Sequence, residues 1–479
     1  MKRRSLAAGI ALAVAAGAGL ALAATRGGPL PGPLPLFPSD NWWNADVSLA
    51  PVDANSANYI SFVGSTRSLH PDLGGEVSPG SDEIYGMPYV VVGASQPKKA
   101  VEFDYADESD GVDHSTGVSF PFYPIPDEAI TQPHWIEGGQ PGQENPGGDR
   151  HMLIVDSDNR YLYELYALHW DGSRWTAGSG AFFDMKTNNR RPDGWTSADA
   201  AGLAILPGLM RYDEAYGTAE IGHAFRVTVR ATNGYVYPAS HRAGATAGAL
   251  PLGARLRLKA SKDISGFPAA VQRIFRAMKR HGLIVADNGS DMYVGGTFDT
   301  RWDSDVLNPA FAALRASDFE VVQLGWKPLP PAPSGLANRY RLYSDVTKEH
   351  HYTTDEYEYL VLGTRGWVQE GIAHRVYKDT TPVSGVTPVP LFRVYHPGIQ
   401  QHLWTTDSNE YAVLATRGWT QEGVDGHILP VAVTGVTTPL YRLAYRYLPL
   451  HLWTADRNEY DVLAGQGWVQ EGVAGHVVP

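Results

Sequence analysis

The sequence predicts a mostly β, α+β protein: an antiparallel β-sandwich or barrel domain with inserted helices, followed by a domain of three repeats. Three observations support this prediction. Short apolar runs bounded by turn residues recur along the first two thirds of the chain, with two helical patterns between them. Glycine (51) and proline (34) are abundant among the 479 residues, which suits turn-rich β structure. The last third repeats one series of motifs three times.

Composition excludes several functional classes. The formal net charge of −12 argues against a nucleic-acid partner and against docking on anionic lipid, because both need clustered lysine and arginine. The chain contains no cysteine, so disulfides and thiolate chemistry are excluded. A length of 479 residues makes two or three domains the natural expectation.

The first 24 residues are predicted to be a signal peptide. Lys2, Arg3 and Arg4 form a basic start, residues 6–23 are apolar, and the small residues Ala21 and Ala23 precede a cleavage position. The arginine pair also fits a twin-arginine export signal. A membrane anchor is the alternative, although alanine and glycine make this run less apolar than a typical span. We therefore expect a secreted protein whose mature chain starts near Ala24 or Thr25.

Residues 25–36 are predicted to be a Pro/Gly linker, and residues 37–326 a catalytic α+β domain. Apolar runs in this domain predict strands, and two further patterns predict helices. The predicted strands cover residues 89–92, 100–105, 152–155, 161–166, 180–183, 225–230, 255–260, 283–286 and 318–324. The predicted helices cover residues 196–210 and 267–281. The order lacks regular βαβ alternation, which favours a mostly antiparallel arrangement.

The chemical centre is predicted between residues 180 and 241, where carboxylates and imidazoles crowd around the ends of predicted elements. We expect five catalytic candidates to share one cleft, because side chains at element ends meet at a domain surface. They are Asp184, Asp199, Glu214, His223 and His241. Substrate-binding candidates in this domain are His151, Trp195, Arg211 and Asp287. The structural alternative for Asp199 is capping of the predicted helix, and each acidic residue taken singly is more readily structural.

No metal site and no cofactor are predicted. The acidic loop at residues 107–113 resembles a calcium loop only loosely, because it lacks the regular alternation and the closing glutamate of an EF-hand. A solvated acidic turn is the favoured interpretation. The chain also lacks a His-Glu-x-x-His zinc motif and a Gly-x-Ser-x-Gly nucleophile motif.

Residues 327–336 are predicted to be a Pro-rich linker, and residues 337–479 a carbohydrate-binding-like module of three repeats. The Gly-Trp pair of each copy ends at Trp367, Trp419 and Trp468. Each copy predicts two strands, a short helix with a Thr/Asp cap, and a third strand, and three copies are expected to close around a pseudo-three-fold axis. Tyr352, Trp404 and Trp453 are candidates for sugar stacking, with a place in the repeat core as the alternative. For the three Gly-Trp tryptophans the core is favoured.

The repeats resemble a tandem module found at the ends of many secreted bacterial hydrolases, whose nearest architectural analogue is the β-trefoil lectin. The block from about residue 37 to residue 303 is similar to an uncharacterised group of secreted bacterial proteins. The motifs that carry this second likeness are Asp149-Arg150-His151, Trp195-Thr196-Ser197-Ala198-Asp199, Arg211-Tyr212-Asp213-Glu214, His223-Ala224 and Val285-Ala286-Asp287-Asn288-Gly289. The likeness implies where the site lies, and it implies no reaction.

The remaining chemistry is that of carboxylates and imidazoles. We expect a secreted polysaccharide-degrading enzyme, a glycoside hydrolase using a carboxylate pair, which binds a polysaccharide or cell-wall glycan and acts as a monomer. A polysaccharide lyase with a histidine or tyrosine base is the runner-up. A peptidoglycan-directed enzyme and a non-catalytic cell-wall or glycan-binding protein remain as further alternatives.

Overall fold

The computed structural model describes residues 23–479. The predicted signal peptide therefore lies almost entirely outside the described residues. No helix within residues 23–479 has the length and apolar character that crossing a bilayer requires. The described chain is mostly β with few helices, which confirms the predicted fold class.

The N-terminal part contains short strands, four α-helices and several 3-10 turns. Its strands are β1 (Thr25–Arg26), β2 (His70–Gly74), β3 (Tyr89–Val92), β4 (Val101–Phe103), β5 (Val112–Asp113), β6 (Val118–Ser119), β7 (Met152–Asp156), β8 (Tyr161–Tyr166), β9 (His169–Trp170), β10 (Trp175–Ala177), β11 (Ser179–Asp184), β12 (Phe225–Val229), β13 (Arg255–Leu258), β14 (Leu283–Asn288), β15 (Tyr293–Phe298) and β16 (Phe319–Val321). Its helices are α1 (Ser56–Val63), α2 (Tyr212–Ala215), α3 (Ala269–Arg280) and α4 (Ser304–Ala312).

Two large sheets organise this part. The first has the strand order β1-β3-β7-β8-β11, and the second has the order β16-β13-β14-β12-β15-β2. Most neighbouring strands are antiparallel, including the predicted hairpin of β7 and β8. Three pairs, β3 with β7, β12 with β14 and β15 with β2, are parallel, so both sheets are mixed.

The segment 25–36 belongs to the folded domain, although its composition predicted a linker. Thr25 pairs with Val91 at the edge of the first sheet, and Leu36 is buried in the core beneath that sheet. The Arg160 guanidinium donates to the carbonyl oxygens of Gly32 and Leu36. These contacts hold a Pro-rich segment in place, which composition alone does not predict.

The amphipathic helix predicted at residues 267–281 is α3, and its predicted apolar face is buried. Val271, Ile274, Phe275 and Met278 enter the largest core cluster together with side chains of the second sheet. Gly282, at a φ of +76°, follows the end of the helix. A left-handed backbone favours glycine, so the predicted helix end is confirmed.

The helix predicted at residues 196–210 is wrong. The segment is irregular and contains one 3-10 turn, Leu206–Gly208. The Ser197 hydroxyl bonds to the Asp199 and Leu203 carbonyl oxygens, and the Glu164 carboxylate accepts the N–H groups of Ile205 and Leu206. Side chains therefore take the hydrogen bonds that a helix would make within its own backbone.

The C-terminal part repeats the order strand, strand, helix, strand three times, as the motifs predicted. Repeat 1 contains β17 (Leu336–Tyr343), β18 (His350–Thr353), α5 (Glu356–Thr364) and β19 (Val368–Tyr377). Repeat 2 contains β20 (Val389–His396), β21 (Gln401–Thr405), α6 (Ser408–Ala415) and β22 (Thr420–Ile428). Repeat 3 contains β23 (Thr438–Tyr445), β24 (His451–Thr454), α7 (Arg457–Ala464) and β25 (Trp468–Val477).

The capping prediction for these helices is confirmed. The side chains of Asp355, Asp407 and Asp456 accept backbone N–H groups from the first turn of α5, α6 and α7. The glutamate three residues after each aspartate has a different role, because it reaches an arginine of another repeat.

These Arg–Glu contacts close the three repeats into a ring. Each arginine lies on the first strand of its repeat, and each glutamate lies on the helix of the repeat before it in the ring. The pairs are Arg393 with Glu358 (2.7 Å), Arg442 with Glu410 (3.0 Å) and Arg341 with Glu459 (3.0 Å). The third pair joins repeat 1 to repeat 3, so the set is cyclic. The last strands meet as well: β19 pairs with β22, and isolated bridges join Arg375 to Val478 and Leu429 to His476.

Candidate active site

A polar cleft of about 370 Å³ opens in the N-terminal part. Seven segments separated in the sequence form its walls, among them the start of β11 and the end of β14. The lining residues are Tyr105, Glu108, Asp149, Tyr166, Ser179, Thr196, Ser197, Ala198, Ala200, His241, Asp287 and Asn288. Two of the predicted site residues, His241 and Asp287, are among them.

The irregular segment at residues 196–205 forms one wall, and an ion pair beneath it fixes its position. Asp199 is fully buried and accepts two hydrogen bonds from the Arg226 guanidinium, at 2.7 and 2.9 Å. Its neighbours Ala198 and Ala200 face the cleft. Asp199 therefore positions the wall and does not line the cleft, so the catalytic role predicted for it is not supported by its geometry.

His151 supports the same wall from a second direction. It is buried, its Nε2 lies 2.9 Å from the Ala198 carbonyl oxygen, and its Nδ1 lies 2.6 Å from a Glu137 carboxylate oxygen. Burial disfavours the imidazolium, but the Glu137 carboxylate outweighs burial and raises the pKa of His151 to about 9. A protonated ring donates at both nitrogens. His151 is thus a support of the cleft and not a substrate contact, which corrects its predicted role.

Asp287 is the most perturbed group in the cleft. It lies in β14 next to its end, and one carboxylate oxygen accepts the N–H of Asn288 at 2.7 Å. Burial, followed by the nearby charge of Asp199, raises the pKa of Asp287 to about 7. A carboxyl group with such a pKa keeps its proton in weakly acidic solution and suits a general acid.

His241 and Glu108 form a pair at the same cleft. His241 Nδ1 donates to the Ala200 carbonyl oxygen at 2.9 Å, and its Nε2 lies 3.8 Å from a Glu108 carboxylate oxygen. That carboxylate also accepts the backbone N–H of Thr196 at 2.8 Å. The contact at Nδ1 leaves Nε2 as the nitrogen that can exchange a proton.

The predicted convergence of five catalytic residues is wrong. Asp184 ends β11, five residues beyond Ser179, which is about 17 Å along a strand. Its carboxylate bonds to the backbone of Lys186. The first residue of β11, Ser179, lines the cleft, whereas Asp184 lies at the opposite end of the strand.

Glu214 and His223 form a separate buried cluster with Arg211, outside the lining of the cleft. Glu214 contacts the Arg211 guanidinium and lies 3.0 Å from His223 Nε2, while His223 Nδ1 bonds to the Ala224 carbonyl oxygen. Burial opposes ionisation of Glu214, but His223 and then Arg211 outweigh it and lower the pKa of this carboxyl group. The Glu214 carboxylate and both ring nitrogens of His223 have partners within this buried cluster, which favours a structural role. The catalytic prediction for Glu214 and His223 and the substrate-binding prediction for Arg211 are not supported.

Trp195 lies beside the cleft wall but does not line the cleft. Its ring packs against His114, with centroids 4.9 Å apart, and against the Arg191 guanidinium at 5.3 Å. Its carbonyl oxygen accepts the Ser240 hydroxyl at 2.9 Å. These contacts connect the wall to the segment that carries His241.

The sequence-based search missed several lining residues. Glu108 belongs to the acidic loop interpreted as a solvated turn, Tyr105 and Tyr166 end predicted strands, and Ser179 had no distinguishing pattern. Asp149 and Asn288 belong to motifs that carry the resemblance to secreted bacterial proteins, directly beside the candidates His151 and Asp287. Weighting whole motifs instead of single residues would have found both.

The three aromatic candidates in the repeats are not at the surface. Tyr352, Trp404 and Trp453 are fully buried, and their ring centroids form a triangle with sides of 5.4, 6.1 and 5.3 Å. Each repeat contributes one ring to this contact on the pseudo-three-fold axis. Sugar stacking needs an exposed ring face, so the substrate-binding prediction for these residues is wrong and the core alternative is correct.

Comparison with known proteins concerns the last third of the chain. Residues 313–429 and residues 338–478 each match a family model described as a domain of unknown function (DUF5648). No curated protein and no solved structure matches the chain.

Proposed function

We propose that the chain is a polysaccharide-degrading enzyme, a glycoside hydrolase whose active site is the cleft around Asp287. The observation that carries this proposal is a carboxyl group with a pKa near 7 that shares a cleft with two further carboxylates, Glu108 and Asp149. Glycoside hydrolysis requires one protonated and one ionised carboxyl group on either side of the scissile bond.

Asp287 is the general acid in this proposal. It donates its proton to the glycosidic oxygen as the bond from that oxygen to the anomeric carbon breaks. Glu108, with His241 beside it, accepts a proton from the water whose oxygen attacks the anomeric carbon. The products are a free reducing end and the alcohol of the departing sugar. The net reaction adds one water molecule, and the proton that Glu108 takes from water replaces the one that Asp287 donates.

The charge of the cleft favours a neutral or amino-sugar glycan. Three carboxylates and one histidine line it, and no lysine or arginine does so among the described residues. A uronic acid polymer would meet like charges there, which disfavours the polysaccharide lyase alternative, because elimination needs a group that neutralises the uronate. Tyr105 and Tyr166 add aromatic surface, and more than half of the Tyr105 side chain is exposed.

The test is an assay of the purified protein on neutral, amino-sugar and uronic acid polysaccharides and on peptidoglycan. We expect new reducing ends on one of the first two classes without a rise in absorbance at 235 nm. Asp287→Asn should lower turnover at least ~10²-fold, the usual scale for an acid–base group. Asp184→Asn is the matched control and should keep the wild-type rate, because Asp184 lies outside the cleft.

Three results would contradict the hydrolase proposal. Absorbance at 235 nm would indicate a lyase, glycan retention without cleavage would indicate a binding protein, and full activity of Asp287→Asn would remove the assigned acid. Glycan binding by the repeats stays a prediction, and no exposed aromatic residue is assigned to it. Retention of the chain on insoluble glycans would test it directly.

Secretion is part of the same proposal. The basic and apolar start of the sequence motivates it, and β1 begins at Thr25, directly after the expected cleavage position. Protein recovered from culture medium should therefore have Ala24 or Thr25 as its first residue. Recovery there of chains that still begin at Met1 would contradict the expectation.

A further inference from the structure

Repeat 1 departs from the other two repeats at two neighbouring positions. In register, Glu349 corresponds to Gln401 of repeat 2 and Leu450 of repeat 3. His351 corresponds to Leu403 and Leu452 in the same alignment. The surrounding motif is otherwise closely maintained, so repeat 1 alone has two metal-ligating side chain types where its sister repeats have amide or leucine.

Both departures converge on one histidine of repeat 2. A Glu349 carboxylate oxygen accepts the backbone N–H of His402 at 2.7 Å and lies 2.7 Å from His402 Nδ1. The rings of His351 and His402 have centroids 4.4 Å apart. One potential ligand atom from each of Glu349, His351 and His402 lies within 4.8 Å of the other two. The cluster spans the junction between repeats 1 and 2.

His351 is unsatisfied in this environment. Its side chain is 1% exposed, and neither ring nitrogen makes a hydrogen bond. No other described histidine has both nitrogens buried without a hydrogen-bond partner. A carboxylate oxygen of Glu358 is 3.5 Å from its Nε2, beyond good hydrogen-bonding distance. Burial of a polar group without a partner is costly, so this ring calls for a ligand that the chain itself does not supply.

We propose that Glu349, His351 and His402 form a binding site for a divalent transition metal, zinc by ligand preference. Two imidazoles and one carboxylate are a donor set that suits zinc, and they leave a fourth position for water. The carboxylate of Glu422 lies 3.6 Å from His402 Nε2 and adds negative charge next to the ligands. The ion would connect repeat 1 to repeat 2 in a chain that has no cysteine for a disulfide.

The ligand atoms of Glu349 and His402 must move slightly apart when zinc binds. Tetrahedral zinc with bonds of about 2.0–2.1 Å separates its ligand atoms by roughly 3.3 Å. The Glu349–His402 contact at 2.7 Å is shorter because a proton occupies it. The ion replaces that proton and moves the two atoms apart by roughly 0.6 Å, which side-chain rotation accommodates.

The test is titration of the chelator-treated full chain with zinc chloride, followed by calorimetry. We expect one zinc ion per chain and a higher melting temperature for the repeats, since a ligand that binds the folded state stabilises it. Magnesium chloride should do neither, because it prefers oxygen ligands in octahedral geometry.

The repeats supply their own matched variants. His351→Leu and Glu349→Gln each install the residue that repeat 2 has at that position, so both should fold. Each should weaken zinc binding by more than about 100-fold, beyond the 10–100-fold typical of losing an outer partner. His451→Gln alters the equivalent of His402 in repeat 3 and should leave binding unchanged. Absence of zinc binding by the wild-type chain would overturn the proposal. So would a zinc affinity in His351→Leu and Glu349→Gln equal to that of the wild-type chain.

Discussion

The cleft region and the repeat region use buried polar groups in opposite ways. In the repeats, one set of contacts occurs three times, and the Arg–Glu pairs that close the ring lie at partly exposed junctions around an aromatic core. In the cleft region, the contacts that hold the irregular segment at residues 196–205 each occur once and are buried. The repeat region is therefore held by three equivalent contacts, whereas the cleft wall depends on contacts that have no equivalent elsewhere.

This difference predicts where single substitutions do most damage. A buried ion pair that loses one partner leaves an uncompensated charge, while a half-exposed pair leaves a charge that water can reach. Substitutions beneath the cleft should therefore cost more than substitutions around the ring.

The largest effect is expected at Asp199. Asp199→Asn removes the charge that compensates Arg226, and both side chains are almost completely buried. Breaking such a pair costs about 3–5 kcal/mol of folding free energy. Scanning calorimetry should show the loss in the N-terminal transition, and activity should fall as well because the cleft wall loses its support.

Glu220→Gln is the control for Asp199→Asn. Glu220 also pairs with an arginine, Arg276 at 2.8 Å, but both partners are well exposed. Its removal should leave the N-terminal transition almost unchanged. Equal losses for the two variants would contradict the distinction between buried and exposed pairs.

The next effect concerns the aromatic triangle. Trp404→Ala removes a fully buried ring and the hydrogen bond from its Nε1 to Asp425, so we expect a loss of about 3–5 kcal/mol in the repeat transition. Trp419→Ala, at a half-buried position of the same repeat, should cost clearly less. If the two losses were equal, or if Trp404→Ala weakened only glycan retention, the triangle would not be the core of the ring.

The outcome for these aromatics shows what sequence can reveal. The repeated motifs predicted every strand and helix of the three copies, because identical local patterns fold alike. They did not separate surface from core, since a ring that stacks on a sugar and a ring that packs on an axis have the same sequence signature. Only the closure of the ring buries Tyr352, Trp404 and Trp453 against one another.

The cleft was harder to predict for a related reason. Residues 196–210 begin with capping residues typical of a helix, but the backbone of this segment bonds to the buried Glu164 carboxylate and the Ser197 hydroxyl instead. Glu164 is distant in the sequence, and nothing local marks it as the partner. His241 and Asp287 were found because both lie next to the ends of apolar runs, whereas Asp184, at the end of another run, faces a different surface.

The role proposed for Asp287 predicts how hydrolysis and stability depend on pH. The raised pKa of Asp287, about 7, keeps the proton needed for catalysis below neutrality and releases it above. Hydrolysis should therefore decline as pH rises through 7, and kcat/KM measured across pH 5–9 should show this limb. The same shift makes protonated Asp287 contribute stability fully below its ordinary pKa of 3.8, and that contribution is lost as pH rises towards 7.

Asp184→Asn controls for the pH profile, because this residue lies outside the cleft and its substitution should leave the alkaline limb in place. An activity that stays constant from pH 5 to pH 9 would contradict the assignment of Asp287 as the proton donor.

The smallest effect tests whether the ring is three-fold in energy as well as in geometry. Glu410→Gln removes the charge that meets Arg442 through two contacts of 3.0 Å, and both side chains are partly exposed. We expect a loss of about 0.5–1 kcal/mol, at the upper end for accessible pairs because each arginine also contacts a second glutamate. Glu459→Gln removes the equivalent charge facing Arg341 and should cost the same within about 0.5 kcal/mol.

Glu358→Gln should differ from both, because Glu358 also lies beside His351 at the junction where the three-fold equivalence is broken. Urea unfolding of the three variants measures these losses. A large difference between Glu410→Gln and Glu459→Gln would show that the repeats share a shape without sharing the energetics of closure.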